Sequence, residues 1–455
     1  MQEIKLPEDF LERMEKDLGE EYPDFLNSYQ KKRVYGLRVN TLKVSVKEFC
    51  HLSPFSISPI EWCSTGFYYK EEEHPGKHPF HEAGMYYIQE PSAMAAAELL
   101  MPEPGEWVLD LCAAPGGKTS QIAAKLEGKG LLVSNEIHPQ RAKVLSQNVE
   151  RMGISNIVVT NETPEHLAKC FPMCFDRIMV DAPCSGEGMF RKEENARAEW
   201  SLEQVMLCAK RQKEILEYAD QMLRPGGYMV YSTCTFAKEE DEAIIEGFLK
   251  GHAEYGIPMH KVPESFVKCH IPGAYKLFPH HLKGEGHFLA ILQKGKGQSV
   301  KRDIINFGGH IKEKKALIDY ENFKQQAGFC LEGENYLLFG EQLYLLPEGI
   351  TGLKGVKVER PGLHLGTLKK NRFEPSHALA LAINKEKVKN SISFPWGSEQ
   401  VKAYLRGESI AITEAKEKPE NGWCLVLVDG YSIGWGKVNG GLLKNHYPKG
   451  LRMNL

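Results

Sequence analysis

The chain is 455 residues long, 42% hydrophobic and 26% charged, so two to four domains with ample core are expected, and a disordered or fibrous chain is excluded. With 57 Lys and Arg against 60 Asp and Glu, the net charge of −3 excludes nucleic-acid recognition by global charge, and any RNA site has to be a local basic patch. Eleven cysteines are spread along the chain with no Cys-x-x-Cys pair, which excludes a disulfide framework and leaves no metal expected.

In chain order, the start "MQEIKLPEDFLERMEKDLGEEY" is polar and acidic, unlike a signal peptide, and no apolar run reaches membrane-spanning length. A cytoplasmic protein off the membrane, with reduced thiols, is expected. "YGLRVNTLKVSVKEFCHL" (35–52) mixes basic, β-branched and helical signals, as a small α+β module would. From residue 107 strands alternate with helices. "WVLDL", "GLLVSNEI", "NIVVTN", "FDRIMVDAP", "YMVYSTCT" and "HFLAILQK" read as strands. "KTSQIAAKL", "HPQRAKVLSQNVERMG", "SLEQVMLCAKRQKEILEYADQML" and "KEEDEAIIEGFLKG" read as helices, and "RPGG" as a turn. This alternation predicts an α/β fold with a doubly wound, mainly parallel sheet. "KGKGQSVKRD" (294–303) reads as a linker, the following segment to about 390 is mixed, and "GWCLVLVDGYSIGWGKVNGG" predicts a small β-rich end. The expected domains are 1–98, 99–297, 298–390 and 391–455.

Ligands of such sheets bind beyond the carboxyl ends of the strands. Cys112, Glu136, Asn161, Asp181 and Cys234 all fall there. "DLCAAPGGKTS" resembles the end of a phosphate loop, but Cys112 stands where that loop requires glycine, and no Gly-x-Gly-x-x-Gly is present. The loop instead suits the amino-acid part of S-adenosylmethionine: Gly116 and Gly117 allow close backbone approach, and a helix N-terminus follows. Glu136 can hold both ribose hydroxyls, Asn161 lies near an adenine, and Arg141, one helical turn into the next helix, can reach the cofactor. Taken singly, each of these residues has a plainer reading as a turn, cap or surface group.

Cys184 in "DAPCSGEGMF" and Cys234 in "YSTCTF" end neighbouring strands beside that cleft. A thiolate next to a methyl donor suits alkylation of a poorly nucleophilic carbon such as cytosine C5. Addition to C6 makes C5 enamine-like, and loss of the C5 proton then expels the thiolate. Asp181 is placed to hydrogen-bond the N3 and N4 edge of the base. The residues alone do not choose between the two cysteines, and the proline before Cys184, as in the DNA cytosine methylases, favours Cys184.

"LDLCAAPGGKTSQIA", "NEIHPQRAKVL", "VDAPCSGEGMFRK" and "YSTCTFAKEEDE", with "RVNTLK" and "YYIQEPSAM" upstream, resemble the consecutive motifs of the Nol/Nop/Sun family of RNA 5-methylcytosine methyltransferases over residues 30 to 295. The resemblance implies a Rossmann-like class I methyltransferase core with an N-terminal RNA-binding module. It makes Cys234 the nucleophile and Cys184 the residue that assists release, and it maps cofactor contacts onto Cys112, Ala113, Ala114, Pro115, Gly116, Gly117, Lys118, Glu136, Asn161 and Asp181. "GEGMFRKEE" and the C-terminal tail are similar to the bacterial branch that modifies small-subunit ribosomal RNA and ends in a PUA-like domain. RNA, most simply 16S rRNA or the small ribosomal subunit, is then the partner, without DNA, for a monomeric enzyme. The alternatives are a tRNA cytosine-C5 methyltransferase, a catalytically silent RNA-binding assembly factor and a P-loop hydrolase.

Basic clusters at 31–38, 294–302 and 368–373 are candidates for phosphate contact against the commoner reading as solvated faces, and the resemblance favours Arg38. Trp423, Tyr431 and Trp435 are read as strand core rather than base-stacking platforms. The histidines of "HPGKHPFHEAG" lack a fourth ligand, and "FPHHLKGEGHFLAIL" is read as structural.

Overall fold

A computed structural model describes residues 5–258, 260–297, 305–306, 311, 317–329, 331, 333–353, 355–370, 372–384, 386, 388–412 and 419–453. Residues 298–303, in the linker and basic cluster expected there, and Asn371 of the 368–373 cluster lie outside the described residues.

Residues along the strand Trp107–Asp110 alternate between two cores, as the period of two demands. Trp107 and Leu109 pack with Leu167, Phe171, Ala209, Leu216 and Ile244 on one face of the sheet. Val108 packs with Leu100, Ile122, Leu132 and Leu145 on the other. Helices therefore cover both faces, and the inner strands are buried on each side.

Trp107–Asp110 pairs in parallel with Leu131–Asn135 on one side and Phe175–Asp181 on the other. Ile157–Thr160 and Leu223–Thr233 extend the parallel set outward, and His287–Lys294 adds an antiparallel strand. The strand order thus reverses at Trp107–Asp110, and the crevice beyond its carboxyl end is where this architecture receives ligands. The "RPGG" segment is not a free turn. It is absorbed into the strand Leu223–Thr233 as an irregularity, with Phe175 facing Leu223 and Arg177 facing Tyr228. Gly226 carries φ +80 there, a backbone region that a side chain disfavours.

Two helices depart from or sharpen the sequence expectation. Leu202–Met222 starts at Ser201, whose hydroxyl accepts from the Gln204 backbone N–H at 3.2 Å. The helix expected from residue 238 begins at Glu242, because the preceding acids hold other partners: Glu240 accepts from Ser185 N–H, and Asp241 from the Thr233 hydroxyl.

The N-terminal part has helices Glu8–Leu18 and Tyr22–Gln30, then an antiparallel sheet in the order Ser58–Ile60, Cys63–Tyr69, Tyr35–Val39, Tyr86–Ile88. Downstream, one four-stranded sheet (Tyr336–Phe339, Gln342–Leu345, Leu363–Lys369, Arg372–Pro375) precedes a five-stranded one built on Gly422–Val428 and Tyr431–Asn439. Leu37, Val39 and Phe49 share a core with Ile392, Val426 and Ile433, so the two ends of the chain pack together. Val358–Arg360, from the C-terminal half, pairs antiparallel with Ile157–Thr160 and covers that edge of the central sheet. Trp435 is buried and donates to Ser376 O, which agrees with a core role. No helix among the described residues is long and apolar enough to cross a membrane.

Candidate active site

The glycine loop is held from outside by its carbonyls. Arg141 Nη2 donates to Ala114 O at 2.9 Å and Asn148 Nδ2 to Pro115 O at 2.8 Å. Arg38 Nη2 donates to Gly117 O at 3.0 Å and to Ser120 Oγ at 2.6 Å, while its Nε donates to Gln89. Arg38 is fully buried, which corrects its expected phosphate contact: it clamps the loop from the N-terminal module. At Gly116, φ is +111, and a Cβ would meet Leu145 Cδ1 at 3.1 Å, so the turn into the helix Gly117–Leu126 is best made by glycine.

In front of the loop lies a cavity of about 690 Å³. Among the residues singled out from the sequence, Cys112, Ala114, Glu136, Arg141, Asp181, Cys184 and Cys234 line it. Ala113, Pro115, Gly116, Gly117, Lys118 and Asn161 are not among its lining residues. Asn161 donates its amide to Glu136 O at 2.7 Å and to Ile137 O at 2.9 Å, bracing the backbone that carries Glu136. Glu136 accepts from His138 N–H at 2.9 Å, and its other oxygen lies 3.4 Å from Arg141. Burial pushes the Cys112 thiol up, keeping it neutral.

Several wall residues escaped the sequence reading. Arg211, Glu214, Ile215 and Tyr218 of Leu202–Met222 line the cavity at spacings of three and four, with Thr163 and Pro164 at the start of the helix Pro164–Cys170. The spacing was visible, but an amphipathic helix does not declare which stripe meets a cavity. Asp110 also escaped. Its Oδ2 accepts from Thr119 at 2.6 Å, its Oδ1 is buried without a partner, and burial pushes its carboxyl up to about 7.

In the lining of the cavity the Cys184 and Cys234 sulfurs are 3.3 Å apart, and the Cys234 backbone N–H points at Cys184 Sγ, also at 3.3 Å. The hydrogen bond shared with Cys234, together with burial, pushes the Cys184 thiol well up. Asp181 accepts from Ser232 Oγ at 2.7 Å and pairs with Lys118 Nζ at 2.8 Å. Burial alone would push the Asp181 carboxyl up, but the charge of Lys118 and these hydrogen bonds outweigh it and hold it below the usual carboxylate range. His287, read from the sequence as structural, is buried beside this group. Its Nδ1 is 3.2 Å from Ser92 Oγ, and burial with the charge of Lys118 pushes it down to about 4, so it stays neutral.

Four family models match in order. The model of the 16S rRNA methyltransferase RsmB/F matches residues 97–293, and that of the N-terminal domain of 16S rRNA methyltransferase RsmF matches 6–91. The RsmF first C-terminal domain matches 322–383, and the RsmF PUA domain matches 391–453. A ribosomal RNA small subunit methyltransferase F of Shewanella oneidensis is 34% identical over 433 residues, 91% of this chain and 90% of the relative. That of Escherichia coli is 32% identical over 477 residues, 98% of this chain and 97% of the relative. A solved methyltransferase homologue from Pyrococcus horikoshii is 28% identical with a TM-score of 0.57, covering 64% of this chain and 96% of that one. The cofactor of these enzymes is S-adenosylmethionine, and the residues fit it: a Gly-containing loop before a helix N-terminus, a carboxylate after the second strand, and an acid-bearing cavity for a cationic donor. From the N-terminal helices to the PUA domain, the chain belongs to the RsmB/F family of 16S rRNA methyltransferases.

Proposed function

We propose that this protein methylates C5 of cytosine in small-subunit (16S) ribosomal RNA through a covalent bond between Cys234 and C6 of the base. The observation that carries this reading is the pair of sulfurs 3.3 Å apart in the lining of the cavity, which Asp181, paired with Lys118, also lines. S-adenosylmethionine supplies the electrophilic methyl group. Cys234 adds as thiolate to C6, which makes C5 nucleophilic. Asp181, held ionised by Lys118 and Ser232, accepts hydrogen bonds from the N4 amine and from N3 of the protonated adduct. After C5 is methylated, solvent water takes the C5 proton, the C–H pair becomes the C5–C6 double bond, Cys234 departs with the C6–S pair, and N3 returns its proton to solvent. Cys184, protonated and in contact with Cys234, assists that departure.

The target base has to be unstacked, because C6 is unreachable inside a duplex. The same reading takes residues 1–98 as an RNA-binding module, 99–297 as the methyltransferase domain, and 298–390 and 391–455 as C-terminal RNA-binding parts of a cytoplasmic monomer. The bound-site set is Cys112 through Lys118, Glu136, Arg141, Asn161 and Asp181, with Asn161 acting through the Glu136 backbone.

The test uses tritiated donor, small-subunit rRNA lacking the modification, and denaturing gels. Cys234→Ala is expected to abolish both methyl transfer and the protein–RNA adduct. Cys184→Ala is expected to lower turnover at least a hundredfold while the adduct accumulates. The reverse pattern would exchange the two roles, and methylation of tRNA in place of rRNA would change the substrate.

A further inference from the structure

We propose that Glu240 and Gln212 are positioning residues for Cys184, fixing the backbone on both sides of that thiol and so setting its distance from Cys234. The inference rests on the release role given to Cys184 above. Gln212, fully buried on the helix Leu202–Met222, donates from Nε2 to Pro183 O at 3.0 Å. The same nitrogen donates to Glu240 Oε2 at 2.9 Å, and Glu240 Oε2 also accepts from Ser185 N–H at 3.0 Å. Residues 183 and 185, the immediate neighbours of Cys184, are thereby tied to one buried carboxylate–amide pair. A second tie joins the two cysteine loops directly, Ser185 Oγ to Thr235 Oγ1 at 2.9 Å.

This pair is costly to keep. Glu240 Oε1 and Gln212 Oε1 are both buried without a partner, and burial pushes the Glu240 carboxyl up to about 7 against the bonds from Ser185 and Gln212. An apolar pair would pack helix against loop without that cost, but could not hold a carbonyl and an N–H in register. Register matters because the sulfur contact is a short-range one, and a misplacement of about 1 Å at a reacting group costs on the order of a hundredfold in rate. The same helix presents Arg211, Ile215 and Tyr218 to the donor cavity, so one rigid element sets both that wall and the Cys184 loop.

The experiment compares Gln212→Leu, Glu240→Ala and Glu240→Gln with Cys184→Ala in the full chain. It measures tritium transfer, KM for S-adenosylmethionine and the amount of protein–RNA adduct. Gln212→Leu and Glu240→Ala are expected to lower turnover at least tenfold, to leave the donor KM within about twofold, and to accumulate adduct as Cys184→Ala does. Glu240→Gln keeps an oxygen for both bonds and is expected to recover most of the turnover lost in Glu240→Ala. Three results would overturn the proposal: wild-type turnover in Gln212→Leu or Glu240→Ala, loss of the adduct together with turnover in a folded variant, or no recovery in Glu240→Gln. Absence of adduct from Cys184→Ala itself would remove the release role, and the positioning proposal with it.

Discussion

Asp181 is surrounded by a cation, a hydroxyl and a neutral imidazole, and its charge state follows from them. Lys118 is the largest influence that lowers its carboxyl, against burial, which raises it. Lys118→Met removes that influence, so the carboxyl rises toward protonation. The acid limb of the kcat/KM profile is then expected to move to higher pH, with activity at alkaline pH less affected than at pH 6; an unmoved limb would show that Asp181 does not titrate in that step. Glu136 stands on the cavity wall, whereas Asn161 stands behind it. Glu136→Ala is expected to raise the donor KM at least tenfold with a smaller change in kcat, and Asn161→Ala to do the same more weakly, both read by initial rates. The sequence pointed to both residues from their positions after strands. It could not show that one faces the ligand and the other its neighbour's backbone, because that depends on which groups the folded loop leaves unpaired.

At the scale of elements, the helix Leu202–Met222 carries part of the cavity wall and the support for Cys184, and it is capped by one hydroxyl. Ser201→Ala is expected to lower unfolding free energy by about 1 kcal/mol, measured by denaturant titration. Its apolar periodicity was legible, as were the strands and most helices of the core. The late start of the helix at Glu242 was not, because Glu240 and Asp241 are taken by Ser185 N–H and the Thr233 hydroxyl, partners that local propensity does not reveal. Arg38 was misread for a related reason. The basic run and the family resemblance pointed Arg38 at RNA phosphate, yet this guanidinium is buried against the glycine loop. Arg38→Met is expected to weaken binding of S-adenosylhomocysteine at least fivefold by calorimetry, because Gly117 O and Ser120 lose the group that holds them.

For the whole molecule, the C-terminal half is structurally joined to the catalytic core. Val358–Arg360 closes an edge of the central sheet, and Arg360 bonds Ser146 at 3.0 Å and Glu150 at 2.6 Å on the helix Pro139–Arg151. Arg360→Ala is expected to destabilise the fold by about 2 kcal/mol, the scale of a lost charged hydrogen bond, with a lower thermal midpoint as the readout. The core shared by Leu37, Phe49, Val426 and Ile433 likewise makes the N-terminal module and the PUA domain one packed unit.

Periodicity and spacing in the chain were enough for the doubly wound sheet, the glycine loop after its first strand, the positions of the acid and amide after the next strands, and the two cysteines at neighbouring strand ends. Each of these is encoded locally, by hydrophobic period, glycine and strand-end position. The 3.3 Å contact of Cys184 with Cys234, the burial of Arg38, the Glu240–Gln212 support and the packing of the chain's two ends depend on residues far apart in the chain, which local patterns do not specify. They follow from how buried polar groups find one another once the cores close, since each would otherwise lose its hydrogen bonds to water without replacement.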